Sequence, residues 1–171
     1  FGRSALPRIA GAWTLKNKVD FERKVSIVLR SNFIIGFPLY LGLSALSPYI
    51  LDFLFSGRQQ EIKVSVLPLF ILGLGGVFLT LSSTFISVLQ VIGRSDLPIK
   101  LMLPGCALKL IMNVFTISIP KINISGAAVS TVVMYAFVAL GGYFALEAVT
   151  GIDFHILRKM SLPLIAGTVC A

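Results

Sequence analysis

Charge is what this sequence has least of. Only 13% of its 171 residues are Asp, Glu, Lys or Arg, against about 25% in an ordinary soluble domain. A soluble fold of about 150 residues leaves roughly 30% of its unfolded-chain surface exposed, and the polar residues here are too few to cover it. With 56% hydrophobic residues and a mean hydropathy of +0.93, lipid has to be the solvent for much of the surface. Cysteine is equally sparse. Cys106 and Cys170 lie far apart inside apolar stretches, which gives neither a disulfide framework nor metal-ligand spacing and makes each a small hydrophobe. The single histidine, His155, stands near Asp153 in a loop and reads as part of a solvated segment rather than an acid–base pair. The seven carboxylates are scattered, and there is no Gly-rich phosphate loop, nucleophile elbow or HExxH helix. No enzymatic activity and no cofactor is expected. The net charge of +8 would suggest nucleic acid in a soluble protein, but the basic residues form short clusters between apolar runs without interleaved aromatics. Membrane lipids, not nucleic acid, are the expected partners.

What is present are long apolar runs. Residues 29–51, 64–93, 97–119 and 122–148 each approach or exceed the roughly 20 residues a helix needs to cross a bilayer, so the expected fold is an all-α polytopic transmembrane helix bundle. Val64–Gly93 and Ile122–Leu146 carry no charge, whereas Lys100 and Lys109 interrupt the third run. The second run is longer than one straight span requires. Pro68 and the cluster Gly73, Gly75 and Gly76 offer an entry turn and sites for kinking or close packing, and the run reads as one tilted helix. Residues 1–12 read as the end of a preceding transmembrane helix and 160–171 as the start of a further one, so the chain is expected to be a fragment at both ends. Between residues 1–12 and the first full span, residues 13–28 form a weakly amphipathic connector. Trp13, Val19, Val25 and Val28 alternate there with Lys16, Lys18, Asp20, Glu22, Arg23 and Lys24, as in a short helix lying at the cytoplasmic surface with Trp13 at headgroup depth.

Lys and Arg accumulate in alternate loops. They are dense before the first span (Arg3, Arg8, Lys16, Lys18, Arg23, Lys24, Arg30), between the second and third (Arg94, Lys100) and after the fourth (Arg158, Lys159). The intervening loops are poorer in total, three against eleven, with Arg58 and Lys63 in one and Lys121 in the other. The positive-inside tendency therefore assigns the dense loops to the cytoplasm.

One charge lies deep in a span. Placing Lys109 near the bilayer centre costs about 2.5–3.5 kcal/mol on insertion scales, so its side chain is expected to face a bundle interior or a wet cavity. Asn113 follows at i+4 on the same face and is able to accept from the ammonium. Lys109 and Asn113 are the candidate cavity-lining pair, with Gln90 near the end of the second span as a third, weaker substrate-contacting residue. Arg30, Asn32 and Glu147 fall at headgroup level and read as anchors or caps. Gly126 and Ser130, with Ala127 and Ala128 between them, form a small-xxx-small face suited to close helix packing.

Several short stretches, in order along the chain, carry a family resemblance. Leu6-Pro7-Arg8 before the basic connector, Gly36-Phe37-Pro38, then Leu89-Gln90-Val91-Ile92-Gly93-Arg94 with Leu97-Pro98 resemble the second lobe of polysaccharide-type exporters in the multidrug/oligosaccharidyl-lipid/polysaccharide superfamily. Lys109 with Asn113, and Ile124 with Gly126-Ala127-Ala128, continue the likeness, which is nearest to the stage V sporulation protein B branch and its lipid II flippase relatives. The resemblance covers nearly the whole chain. It implies the second lobe of a two-lobe, MATE-like alternating-access transporter in the bacterial cytoplasmic membrane. The implied cargo is a lipid-linked oligosaccharide, polysaccharide or peptidoglycan precursor, and the implied partner is a first lobe absent from this sequence. A drug or cation exporter of the same architecture is the first alternative; it calls for carboxylates within the spans, and no acid lies in the middle of one here. A non-transporting scaffold for envelope or spore assembly is the second, and it has no need of a mid-membrane lysine.

The alternation of basic loops makes a topological prediction. In a background without the native cysteines, single cysteines at positions 17 and 96 should react with a membrane-impermeant maleimide only from the cytoplasm, and one at 59 only from outside. Labelling of 17 and 59 from the same side would overturn the span assignment.

Overall fold

The computed structural model describes residues 2–15, 18–55, 59–117 and 123–151. They form six helices: α1 (Gly2–Thr14), α2 (Lys18–Ala45), α3 (Ser47–Leu54), α4 (Gln59–Val91), α5 (Asp96–Ile117) and α6 (Asn123–Thr150). Four of these, α2, α4, α5 and α6, are long and apolar enough to cross a membrane. The chain is an all-α polytopic membrane bundle. The run from 160, together with Asp153, His155 and Cys170, lies outside the described residues.

Helix α4 passes through Pro68 without a break and ends at Val91, as one helix. At 33 residues it is about 50 Å long, well beyond the roughly 30 Å of a bilayer's hydrocarbon core. Its end is set by Gly93, whose φ of 84° is cheap only for glycine. Gly93 N–H donates to the Gln90 carbonyl and Arg94 N–H to the Leu89 carbonyl, a Schellman cap that turns the chain directly into α5. Gly151, with φ 61°, closes α6 by donating to the Glu147 carbonyl.

Two boundaries differ from those expected. The connector 13–28 is not a separate surface helix: α1 runs to Thr14, and α2 starts at Lys18 and continues unbroken to Ala45. The reason is packing. Phe21, Val25, Val28 and Leu29 line one side of α2 and are buried against Ile9 and Ala12 of α1, Phe85, Val88 and Leu89 of α4, and Leu146 of α6. Trp13 accordingly packs on Phe21, with ring centroids 5.2 Å apart. The first span also stops short of 51. Pro48, in the first turn of α3, has no N–H to give to the Ser44 carbonyl, so the helical path bends at Leu46 and resumes as α3.

Helix α4 is the centre of the bundle, with α2 and α6 against it, α1 and α3 at its two ends, and α5 packed chiefly on α6. Paired positions give the directions. Asn32 meets Thr84 and Ser44 meets Phe70, so α2 and α4 are antiparallel. Gly75 faces Val132 and Gly142 faces Phe85, so α4 and α6 are parallel. Gly105 faces Val138 and Gly126 faces Thr116, so α5 and α6 are antiparallel. The glycine cluster of α4 serves these contacts. A Cβ at Gly73 would lie 3.0 Å from Ser44 Cα, one at Gly75 would enter Val132, and one at Gly76 would enter the Tyr40 ring. The outer faces are apolar, with Ile35, Leu39, Leu67, Leu103, Leu110, Val114 and Leu140 all exposed, as lipid-facing positions are.

This packing predicts a contrast between two glycines. Gly76→Ala drives a methyl group into Tyr40 and should cost about 1–3 kcal/mol, the usual range for overpacking. Gly42→Ala meets open space and should be neutral or slightly stabilising, since alanine is the better helix former. Thermal unfolding in detergent measures both; equal melting temperatures for the two variants would contradict the close approach.

Candidate functional site

The candidate residues sit on two different levels. Lys109 and Asn113 are on α5, and Gln90 is in the last turn of α4. The α5–α6 pairings set Lys109 level with Val133 and Met134, and the α4–α6 pairings set those residues level with about Gly76 of α4. Gln90 is therefore about 20 Å from Lys109 along the bundle axis at 1.5 Å per residue. It is exposed beside the α4 cap, where its backbone carbonyl accepts from Gly93. The structure does not bring Gln90 to the other two.

Asn113 does not take its hydrogen bond from Lys109. Its Oδ1 accepts from the Ser130 hydroxyl across the α5–α6 seam. The small face of α6 makes this possible: a Cβ at Gly126 would overlap Thr116, so one turn further on the backbones are close enough for a short serine to span the gap. Thr116 turns its own hydroxyl back to the Met112 carbonyl at 2.8 Å, as threonines in apolar surroundings commonly do. The packing expected of Gly126 and Ser130 is observed, and Asn113 belongs to it.

Lys109 is left on the flank of this seam. It is partly exposed, about 12 Å from the end of α5 at Ile117. Among the described residues it has no ion pair and no hydrogen bond, and the residues level with it on α6 offer only apolar side chains. An ammonium in that position has to be satisfied by water or by an anion from beyond these helices.

A second polar feature escaped the sequence reading. Asn32, expected as a headgroup anchor, donates from Nδ2 to Thr84 Oγ1 at 3.0 Å, and the Tyr40 and Thr80 hydroxyls are 3.0 Å apart. These two rungs cross the α2–α4 interface and edge a small groove also lined by Phe33, Phe37 and Leu81. Thr80 and Thr84 follow one another at i+4 within a charge-free run, and that spacing was the available signal; their partners on α2 are visible only in the fold. The hydroxyls also satisfy themselves on their own helix, Thr80 on Gly76 and Thr84 on the Thr80 carbonyl. Among the described residues no group of three or more His, Cys, Asp or Glu side chains is placed to hold a metal ion.

No family model matches the chain, and no solved structure matches it. Over 134 residues, 78% of its length, the chain is 30% identical to a protein of Methanocaldococcus jannaschii described as an uncharacterized membrane protein. The matched segment spans 25% of that relative's length. Together with the four apolar helices, the likeness is that of a multi-pass membrane protein.

If the Asn113–Ser130 bond is an element of packing, a double-mutant cycle with Asn113→Ala and Ser130→Ala should give a coupling of about 0.6 kcal/mol, with about 1.7 as the upper end known for interhelical bonds in membranes. Thermal or denaturant unfolding in detergent reads the coupling; strict additivity would show that the two side chains do not interact.

Proposed function

We propose that the chain is the second lobe of a two-lobe flippase that carries lipid-linked oligosaccharide, polysaccharide or peptidoglycan precursors across the bacterial cytoplasmic membrane by alternating access. The observation that carries this reading is Lys109: a cation within a span, on a helix packed chiefly along one seam, with no acceptor among the described residues. An anionic sugar-pyrophosphate head group moving between two lobes supplies the missing counter-charge at the moment of passage. Asn113 and Ser130 tie α5 to α6 one turn away, and that seam is the platform on which the lysine stands. The order of short motifs shared with polysaccharide-type exporters supports the same reading. A cation exporter requires an anion within the membrane instead, and the carboxylate residues of the described helices, Asp20, Glu22, Asp52, Glu61, Asp96 and Glu147, all stand near helix ends.

The test separates charge from bulk at position 109 in a protein that includes both lobes. Attraction to a phosphate depends on the ammonium, while packing depends on the stem. Flipping of a fluorescent lipid-linked oligosaccharide in proteoliposomes should fall at least tenfold in Lys109→Gln and Lys109→Met and survive in part in Lys109→Arg. Insertion should be eased by about 2 kcal/mol when the charge is removed, so failed insertion would not explain the loss. Full activity of the Met variant at normal expression would reduce Lys109 to a packing residue and withdraw the proposal.

A further inference from the structure

The basic end of the bundle holds more than a topological signal. Two of its cations are held by carboxylates, and two on α2 are not. Lys24 is bound to Asp20, Nζ to Oδ2 at 2.7 Å, and Lys100 lies 3.6 Å from Asp96, each one turn away on its own helix. Arg23 and Arg30 on α2 are exposed, and among the described residues neither pairs with a carboxylate.

The two arginines share a stripe. At 100° per residue, Val19, Arg23, Ile27, Arg30 and Ile34 fall within an arc of about 80° on the outer side of α2, opposite the buried row of Phe21, Val25 and Val28. Val19, Ile27 and Ile34 are 77%, 54% and 52% exposed. Apolar and cationic rungs therefore alternate along one face, with no carboxylate among them. Beyond Arg30 the exposed residues of α2 become apolar, through Ile34, Ile35 and Leu39. A water-facing stripe would not expose valine and isoleucine between its arginines, and one in hydrocarbon would not carry arginine. The pattern fits a helix passing through the polar boundary of the bilayer, where aliphatic side chains meet acyl chains and guanidinium groups meet phosphate.

We propose that this stripe is a binding site for anionic phospholipid, with Arg23 and Arg30 holding headgroup phosphate and Val19, Ile27 and Ile34 seating the adjoining acyl chains. The arginines are two helical turns apart, about 10 Å along the axis, so the site spans the headgroup layer from its outer edge to the hydrocarbon boundary. Arginine suits the task because its planar fork of donors engages two phosphate oxygens at once. A soluble acidic protein would match the charges but leave the aliphatic rungs, continuous with the lipid-facing surface, without a partner. The inference is independent of any transport activity.

Native mass spectrometry of the protein released from nanodiscs of equal phosphatidylglycerol and phosphatidylcholine content tests it. The wild type should retain phosphatidylglycerol preferentially. Removing one basic residue near a charged surface weakens attraction about fivefold, so Arg23→Gln with Arg30→Gln should abolish the preference, while Arg23→Lys with Arg30→Lys should keep part of it. Lys63→Gln, which removes an exposed charge from the opposite end of α4, should leave it unchanged. An excess of soluble glycerol phosphate should not displace the lipid, because it lacks acyl chains. The proposal fails if the double Gln variant retains the wild-type preference, if Lys63→Gln lowers it equally, or if glycerol phosphate competes.

Discussion

Three backbones approach one another along α4, and the rest of the bundle depends on how closely they do so. In hydrocarbon there is no hydrophobic force between helices, because a lipid tail is as good a neighbour as a leucine. Association then rests on van der Waals contact and on a few interhelical hydrogen bonds. Gly73, Gly75 and Gly76 remove the side chains that would hold α2 and α6 away. Once α2 is that near, Ser44 reaches the Phe70 carbonyl and Tyr40 reaches Thr80. Once α6 is in place, its other side presents Gly126, Ser130 and Gly141 to α5. The order of dependence runs from glycine to backbone approach to polar contact, and the location of the Lys109 platform follows from it.

The spans were legible because a long apolar run admits few structures: every peptide group must be satisfied within the segment, so it is a helix. The expected runs 64–93, 97–119 and 122–148 differ from α4, α5 and α6 by a few residues at their ends. The connector was misread for a reason that is also physical. Phe21, Val25, Val28 and Leu29 have the spacing of any amphipathic helix, and a sequence does not say whether the apolar side of such a helix meets lipid or protein. Here it meets α1, α4 and α6. Polar partners posed the same problem. Asn113 and Lys109 share a helix face, so local spacing suggested that they interact, but the acceptor went to Ser130 from another helix. Local periodicity places a side chain on a face, and only the packing of helices decides what it touches.

Ser47 is the one side chain that stands apart from this accounting. Its hydroxyl is buried and, among the described residues, is the only fully buried side-chain oxygen or nitrogen without a hydrogen-bond partner. It lies at the bend between α2 and α3, beside the carbonyl that Pro48 leaves unbonded. An unpaired hydroxyl costs free energy, and the bend is held instead by the backbone bonds from Leu46 to Gly42 and from Ile50 to Leu46, by the Ser44 hydroxyl on the Phe70 carbonyl and by the burial of Leu51.

Burial is also unevenly distributed along the bundle, and this has a kinetic consequence. The cluster of Ile9, Ala12, Phe21, Val25, Val28, Leu29, Phe85, Val88, Leu89 and Leu146 joins four helices at the basic end, whereas α5 is fastened mainly by its seam with α6. Separating α2 from α4 within that cluster requires the whole junction to open. Parting α5 from the lobe requires only that its seam with α6 opens, a smaller and more frequent event, and α5 stays helical because its peptide groups are bonded within the segment. Local opening thus has a preferred direction: α5 parts from a lobe that otherwise stays intact, and Lys109 travels with the part that moves.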